Sequence, residues 1–278
     1  MNYRHSYHAG NFADAFKHIV LIELIQCLLK KDSAFCYLDT HAGIGCYNLL
    51  SAPSQTTFEF KTGVRKLFRH PQPPNFIEPY LSCVKKLNQD NVLKTYPGSP
   101  WFARQFLRPQ DRMVLCELHP EDFKTLKQFF RTDTQTAVHH HDGYQGLKAF
   151  LPPKERRGLV LIDPPYENPH EFLSIPDIVS RALERWETGI YAVWYPIKTG
   201  ASAKQFHRAL AEKIQKPILI TELCIHPDDV SAGLNGSGMA IINPPYQLDK
   251  QLDVILPWLW ETLSVDGKGR YCVKFIGN

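Results

Sequence analysis

The sequence predicts an α/β protein built around a mostly parallel, doubly wound sheet. Short apolar runs alternate with longer segments whose apolar residues recur at helical spacing, which is typical of such sheets. Glycine turns or acidic residues follow several of the apolar runs, at the place where a doubly wound sheet binds its ligands. One of these runs ends in Asp163-Pro-Pro-Tyr166 and carries most of the functional argument.

The first helix is predicted over residues 12–31, because its apolar residues recur every three or four positions. Asn11 is placed to cap its start, and the two lysines that end it complement the helix dipole. A short buried strand over residues 35–38 follows and leads into the turn Asp39-Thr-His-Ala-Gly-Ile-Gly45.

The next segment, residues 46–98, is interpreted as an inserted helical subdomain, so that residues 1–45 and 99–278 form the main domain. The segment is rich in proline and too long for a simple connection between a strand and a helix. It holds seven Lys or Arg against three Asp or Glu, an excess of four that equals the formal charge of the whole chain. Such a basic face suits a phosphate backbone, although an ordinary solvated surface explains the charge equally well.

Beyond residue 98 the alternation becomes regular. Ser99-Pro100 opens a helix to about Leu107, with serine at the N-cap and proline at the first helical position. Further strands are predicted at residues 113–117, 136–140, 159–162, 190–195, 218–224 and 239–242. Further helices are predicted at residues 120–131, 144–150, 175–186 and 204–214. The last two strands have no obvious helix between them, which suggests an antiparallel pair at the sheet edge.

Composition excludes several broad classes of protein. No apolar stretch approaches the roughly 18 residues of a membrane span, and the N-terminus lacks an apolar signal region. Seven cysteines, an odd number without a Cys-x-x-Cys pair, favour reduced thiols and a cytoplasmic location. The run His139–His141 lies on a strand, where alternate side chains face opposite ways, so no metal site is expected. We also expect a monomer.

Four consecutive strands of the alternating series each deliver a glycine turn or an acid to the same edge. The glycines let the backbone approach a ligand, and an acid after the second strand is placed to accept ribose hydroxyls. The acid after the third strand is placed to accept from an adenine amino group. The residues concerned are Gly43, Gly45, Glu117, Asp142, Gly143 and Asp163. They indicate an adenosine-containing cofactor. NAD is disfavoured, because Asn48 stands where its fingerprint requires a third glycine.

Asp163-Pro-Pro-Tyr166 identifies that cofactor as S-adenosyl-L-methionine, because this sequence after a buried strand is typical of enzymes that methylate conjugated amines. The Asp163 carboxylate and the Pro164 carbonyl would accept both amine hydrogens, and Tyr166 would stack on an unstacked base. A second copy, Asn243-Pro-Pro-Tyr246, follows the last predicted strand. We assign catalysis to Asp163, which follows the fourth strand beside the cofactor residues, and interpret the second copy as a structural turn.

Together these residues resemble the ribosomal large-subunit methyltransferase J family, which methylates an adenine N6 in 23S rRNA. The resemblance runs over nearly the whole chain. Its most specific segments are Tyr3–Asn11, Ala13-Asp14 with Lys17-His18, Tyr37–Gly43, Tyr96–Pro100, Gly158–Tyr166, Gly189–Pro196 and Ser237–Pro245.

The resemblance implies a class I S-adenosylmethionine-dependent methyltransferase fold with a helical insertion after the first strand. It also implies cofactor contacts from His18, His41 and Ser99, beside Glu117, Asp142 and Gly143. The resemblance further implies that Asp163 is the catalytic acceptor. Tyr3, with Arg4 and Lys17 of the basic N-terminal region, is expected to contact the RNA.

Two other readings remain open at this point. DNA adenine or protein glutamine presents the same kind of amine, so a methyltransferase for either substrate would use the same four residues. An RNA-binding assembly factor with a vestigial methyltransferase fold is the non-enzyme alternative.

Overall fold

A computed structural model of the chain describes residues 4–168, 170–227 and 233–277. The strands are β1 (Cys36–Asp39), β2 (Cys46–Asn48), β3 (Thr95–Pro97), β4 (Arg112–Glu117), β5 (Thr136–His140), β6 (Gly158–Ile162), β7 (Ile190–Ile197), β8 (Ile218–Cys224), β9 (Gly236–Ile242) and β10 (Arg270–Ile276). The helices are α1 (Phe12–Leu29), α2 (Ala52–Thr57), α3 (Val64–Phe68), α4 (Glu78–Lys86), α5 (Ser99–Arg104), α6 (Pro120–Phe129), α7 (Gly143–Phe150), α8 (Glu171–Arg185), α9 (Gly200–Lys213) and α10 (Leu248–Leu263).

The central sheet has the strand order β10-β8-β9-β7-β6-β1-β4-β5. Strands β5, β4, β1, β6 and β7 pair in parallel, whereas β9 is antiparallel to both β7 and β8. The chain order reverses on the two sides of β1, so a topological switch point lies at the carboxyl end of that strand. This architecture confirms the predicted class I methyltransferase fold.

The sheet is buried on both faces because two sets of helices cover it. One apolar cluster joins α1, α5, α6 and α10 to the sheet, and a second joins α7, α8 and α9 to the opposite face. Helix α1 begins as predicted, since the Asn11 side chain accepts a hydrogen bond from the Asp14 backbone N–H at 2.9 Å. No helix in the described ranges is both long and apolar enough to cross a membrane.

The inserted segment, residues 46–98, contains three short helices and a small two-stranded ribbon. Strands β2 and β3 pair antiparallel where the segment leaves and rejoins the sheet. Its buried residues Val64, Leu67 and Tyr80 belong to the same apolar cluster as Phe16 of α1. The insertion therefore packs on the face of the sheet that α1 covers, and its status as a separate subdomain stays a prediction.

The C-terminal part of the sheet differs from the prediction. Strands β8 and β9 do pair antiparallel, but β10 lies outside β8 and forms the edge. Helix α10 and strand β10 were not predicted, because Pro257 interrupts the helical pattern and β10 is only partly buried. Helix α5 is also shorter than predicted, and Gly98 rather than Ser99 is its N-cap, so Ser99 is the first helical residue.

Candidate active site

Four acidic side chains meet at one edge of the sheet, where its parallel strands end. Asp39 ends β1, Glu117 ends β4, Asp142 follows β5 and Asp163 follows β6. Because these strands are parallel neighbours, their carboxyl ends lie together at the topological switch point. The structure therefore brings together the acids that the sequence places after successive strands.

Asp163 lies against a buried lysine. The Lys17 Nζ donates to Asp163 Oδ2 at 2.6 Å and to Asp14 Oδ1 at 2.9 Å. Burial alone would lower the pKa of Lys17, but the charges of Asp14 and Asp163 outweigh it and hold that pKa above its ordinary value. Lys17 is therefore an ammonium held directly beside the carboxylate of the motif.

The predicted RNA contacts fall in three different places. The Lys17 side chain is only 5% exposed and its ammonium pairs with Asp163, so its expected contact with the RNA stays a prediction. Arg4 is exposed and pairs with Glu121 and Asp122 at the start of α6. Tyr3 lies outside the described residues.

Tyr166 is held rigidly at the end of the motif. Its backbone has a φ of 49°, a left-handed conformation that is uncommon for a tyrosine. Its hydroxyl donates to the Trp194 carbonyl at 2.8 Å, and its ring centroid lies 4.5 Å from that of Phe172. Burial raises the pKa of Tyr166 well above its ordinary value, so the hydroxyl stays protonated. The ring is thus presented in a fixed orientation next to Asp163.

Trp194 is a site residue that the sequence analysis did not single out. Its ring centroid lies 5.8 Å from that of Tyr166, and the Lys17 Nζ lies 5.8 Å from the indole centroid. Its Nε1 donates to the Ser237 hydroxyl on β9 at 2.8 Å. The sequence offered one signal for it, because Trp194 is an aromatic residue near the end of β7, the strand next to β6.

The glycine turn after β1 is closed by Glu117. Gly43 and Gly45 have φ values of 63° and 85°, which glycine adopts without strain. The Gly43 N–H donates to Glu117 Oε2 at 2.8 Å, and the His119 N–H donates to Glu117 Oε1 at 2.7 Å. Burial raises the pKa of Glu117 above its ordinary value. Glu117 therefore anchors the turn, and its predicted contact with ribose remains a prediction.

Asp142 and Gly143 begin helix α7 at the same edge. The Asp142 carboxylate caps the helix by accepting from the Gln145 N–H at 2.9 Å. A Cβ on Gly143 would lie 2.0 Å from the Thr40 carbonyl oxygen, so only glycine allows the helix to approach β1 this closely. The helix cap uses one oxygen of the Asp142 carboxylate. The predicted contact of Asp142 with adenine stays a prediction.

Two imidazoles flank the end of β1, that of His18 buried and that of His41 half-buried. His18 Nδ1 is hydrogen-bonded to the Tyr96 hydroxyl at 2.8 Å, and burial lowers the pKa of this histidine well below its ordinary value. Burial likewise lowers the pKa of His41 to about 4, and its Nδ1 lies 2.7 Å from the Thr40 hydroxyl. Both rings are therefore neutral near pH 7.

Asp39 is a further residue that the sequence analysis did not assign. It is fully buried and accepts hydrogen bonds from the Tyr37 and Ser99 hydroxyls, each at 2.7 Å. Burial raises its pKa to about 6, and the neighbouring Asp163 contributes to the increase. This explains why Ser99 lies at the site, since its hydroxyl fastens α5 to the end of β1.

These residues fit a cofactor that carries both an adenosine and an amino acid. His18 Nε2 is buried and has no hydrogen-bond partner among the described residues, so a ligand group there would satisfy it. At the same edge of the sheet lie the glycine turn and the acids Glu117 and Asp142, whose carboxylates accept hydrogen bonds from hydroxyl and amino groups. Among the residues that the structure describes, no three His, Cys, Asp or Glu side chains come together as metal ligands would.

The second Pro-Pro-Tyr copy lies at the opposite edge of the sheet. β9 runs antiparallel to β7, so its end at Ile242 pairs with Tyr191, near the start of β7. The Asn243 amide donates to the carbonyls of Glu187 at 2.9 Å and Gly189 at 2.8 Å. The structure supports the interpretation of this copy as a structural turn, since its side chain is occupied in closing a loop far from the strand ends that carry the acids.

Comparison with known proteins gives concordant results. The sequence profile of the family described as "Ribosomal RNA large subunit methyltransferase D, RlmJ" matches residues 32–277. A protein of Haemophilus influenzae named "Ribosomal RNA large subunit methyltransferase J" is 43% identical over 277 residues, which cover 99% of both chains. Its namesake from Escherichia coli is 42% identical over 276 residues, again 99% of both chains. The crystal structure of protein LPL1258 from Legionella pneumophila is 37% identical and superimposes with a TM-score of 0.87, covering 97% of this chain and 98% of that one.

Proposed function

Because the chain belongs to the ribosomal RNA large subunit methyltransferase J family, we propose that it transfers a methyl group from S-adenosyl-L-methionine to the N6 of an adenine in 23S rRNA. Ribosomal RNA methylation is the activity that the names of its relatives give. The cofactor, the adenine and the position of the methyl group are inferred from the site. We also propose that the protein acts in the cytoplasm and that ribosomal RNA is its macromolecular partner.

The position of Asp163 is the observation that carries the proposal. Its carboxylate stands at the carboxyl edge of the sheet, paired with Lys17 and close enough to Asp39 and His41 to interact with their charges. It is 14% exposed, so it can be reached by a substrate and is still shielded from bulk water. A carboxylate in that environment is suited to hold an amine next to an adenosine-containing cofactor.

The residues of the Asp163-Pro-Pro-Tyr166 motif have separate roles in the reaction. An exocyclic adenine amine is a poor nucleophile, because its lone pair is delocalised into the ring. Asp163 and the Pro164 carbonyl accept hydrogen bonds from the two amine hydrogens, which localises the lone pair on nitrogen. When bound, S-adenosyl-L-methionine supplies an electrophilic methyl group on sulfur. Asp163 Oδ then receives the proton that leaves the nitrogen, and Lys17 stabilises the carboxylate until that moment.

Positioning supplies most of the expected acceleration. Tyr166 and Trp194 lie near Asp163 and its partner Lys17, and each ring is fixed by a hydrogen bond at 2.8 Å. A flipped base stacked on such rings presents its amine to Asp163 without the freedom to rotate away. The imidazoles of His18 and His41, neutral near pH 7, would hold polar groups of the cofactor without adding positive charge to the site.

The family favours RNA over DNA, and the basic segments favour a nucleic acid over a protein substrate. Residues 46–98 carry an excess of four positive charges, and they pack on the same face as α1, whose first turns reach Asp163. We therefore assign the insertion to RNA binding.

Transfer of labelled methyl from S-adenosyl-L-methionine to 23S rRNA, to duplex DNA and to a glutamine-containing peptide tests the proposal. We expect label in RNA, recovered as N6-methyladenosine after nuclease digestion. Label in DNA or peptide alone would reject the proposed substrate. RNA binding without transfer to any of the three would instead favour an assembly factor.

A further inference from the structure

A groove lies between the inserted segment and the C-terminal helix, outside the site described above. It encloses a cavity of about 450 Å³. Its lining comes from the end of α3 with the following turn and from the second half of α10. The residues are Lys66, Arg69, His70, Pro71, Trp258, Glu261 and Thr262.

The groove has more positive than negative charge in its lining. Neither Lys66 nor Arg69 forms an ion pair within the described ranges. Glu261 is the one acid in the lining, so the lining carries a net positive charge. A groove of this kind attracts a phosphate, and its remaining acceptor is available to a base amino group or a ribose hydroxyl.

An aromatic side chain stands in the same groove. The Trp258 ring lies 5.1 Å from the His70 ring and 6.0 Å from the Phe76 ring, both in edge-to-face arrangements. These two neighbours hold the half-buried indole in one orientation. A fixed indole beside two cations is the combination with which proteins bind unpaired nucleotides, through stacking and phosphate pairing together.

The groove also lies at the same edge of the sheet as Asp163. Helix α10 ends there, since the Val265 N–H donates to the Ile225 carbonyl, just past the carboxyl end of β8, at 3.1 Å. Helix α3 begins there too, since the Val64 N–H donates to the Gly10 carbonyl at 2.8 Å, immediately before α1. The first turns of α1 hold Lys17 against Asp163, so they connect the groove to the active site.

We propose that this groove binds an unpaired nucleotide of the RNA substrate other than the one that carries the target adenine. Trp258 stacks on its base, Lys66 and Arg69 pair with its phosphates, and Glu261 accepts a hydrogen bond from the base or the ribose. The inference rests on the proposed function, and it extends that function by adding a second recognition site to which the C-terminal helix contributes. Holding the RNA at two points fixes the direction in which the strand crosses the active site.

Filter binding of radiolabelled 23S rRNA over a range of salt concentrations tests the inference, with methyl transfer measured on the same proteins. The variants are Lys66→Ala with Arg69→Ala, Trp258→Leu, and Trp258→Phe as the variant that keeps an aromatic ring. The matched control is Lys30→Ala with Lys31→Ala, which removes two exposed cations where α1 ends, at the opposite edge of the sheet.

The double groove variant should bind rRNA about tenfold more weakly, and the slope of log affinity against log salt should fall by about 1 to 2. Trp258→Leu should weaken binding about tenfold without changing the slope, Trp258→Phe should recover most of the loss, and kcat at saturating RNA should stay at the wild-type value. Thermal melting identifies any variant that fails to fold.

Affinity and salt slope equal to those of wild type, or lost equally in the control, would overturn the inference. A wild-type protein that transfers no methyl group to RNA would overturn the proposed function instead. The binding measurement would in that case still report on the groove.

Discussion

Replacing Lys17 by methionine distinguishes a role at Asp163 from the contact with RNA phosphate that the sequence suggested. The change keeps the length of the side chain and removes an ammonium that lies 2.6 Å from Asp163 and 2.9 Å from Asp14. The Lys17 side chain is 5% exposed and that of Asp163 is 14% exposed, so water replaces the lost hydrogen bonds only in part.

The size of the effect follows from the contacts that remain. Breaking a buried ion pair costs about 3–5 kcal/mol when one charge is left without a partner. Asp14 keeps the Gly10 N–H at 2.9 Å and the His5 ring at 2.9 Å, and Asp163 keeps some access to water. We therefore expect the free energy of unfolding to fall by about 2–3 kcal/mol. Release of the Asp163 carboxylate from its position should lower kcat about 100-fold, the effect of a displacement near 1 Å.

The assay is methyl transfer to rRNA over a range of RNA and salt concentrations, together with unfolding in urea. Lys17→Met should lower kcat and leave the KM for RNA and the salt dependence of binding unchanged. Lys30→Met, at the exposed end of α1, is the matched control and should behave as wild type. A raised KM with a shallower salt slope and an unchanged kcat would refute the reasoning, because it would show that Lys17 neutralises phosphate.

Two further changes test other parts of the structure. Ser237→Ala leaves the half-buried Trp194 indole N–H without its acceptor, so the free energy of unfolding should fall by about 1–3 kcal/mol and kcat/KM by about tenfold. Unchanged tryptophan fluorescence and activity would contradict this. Although burial opposes it, hydrogen bonds from His207 and Arg270 lower the pKa of Glu222 to about 2. The stability that Glu222 contributes is therefore fully present above about pH 4.5 and is lost as pH falls towards 2, by about 3 kcal/mol. Urea unfolding of Glu222→Gln should show less loss between pH 5 and 3 than wild type, and equal losses would contradict the assignment.

Much of the fold was predictable because its signals are local. The Asn11 cap and the buried strands can be recognised within a few residues, and β1, β4, β5 and β6 follow from their apolar runs. The convergence of the acids followed as well, since parallel strands place their carboxyl ends at one edge. The choice of Asp163 over Asn243 needed only the order of the strands.

Contacts between distant residues could not be predicted in the same way. Lys17 and Asp163 are 146 positions apart, and Trp194 and Ser237 are 43 positions apart. Residue spacing in the sequence therefore does not predict either contact. Lys17 was assigned to RNA as part of the basic N-terminal region, and its burial against Asp163 depends on a contact that the sequence does not show. Helix α10 was not predicted because Pro257 lies inside it, where the sequence pattern indicates a break and the packing of Leu252 and Leu256 overrides it.

The most direct test of the central claim is mass spectrometry of nucleosides from 23S rRNA after incubation with wild type, Asp163→Asn and Asn243→Ala. Wild type and Asn243→Ala should both produce N6-methyladenosine, with Asn243→Ala melting at a lower temperature because it loses two hydrogen bonds to backbone carbonyls. Asp163→Asn should produce none while the protein remains folded. N6-methyladenosine from Asp163→Asn at the wild-type rate, or its loss in a folded Asn243→Ala, would contradict the assignment of catalysis to Asp163.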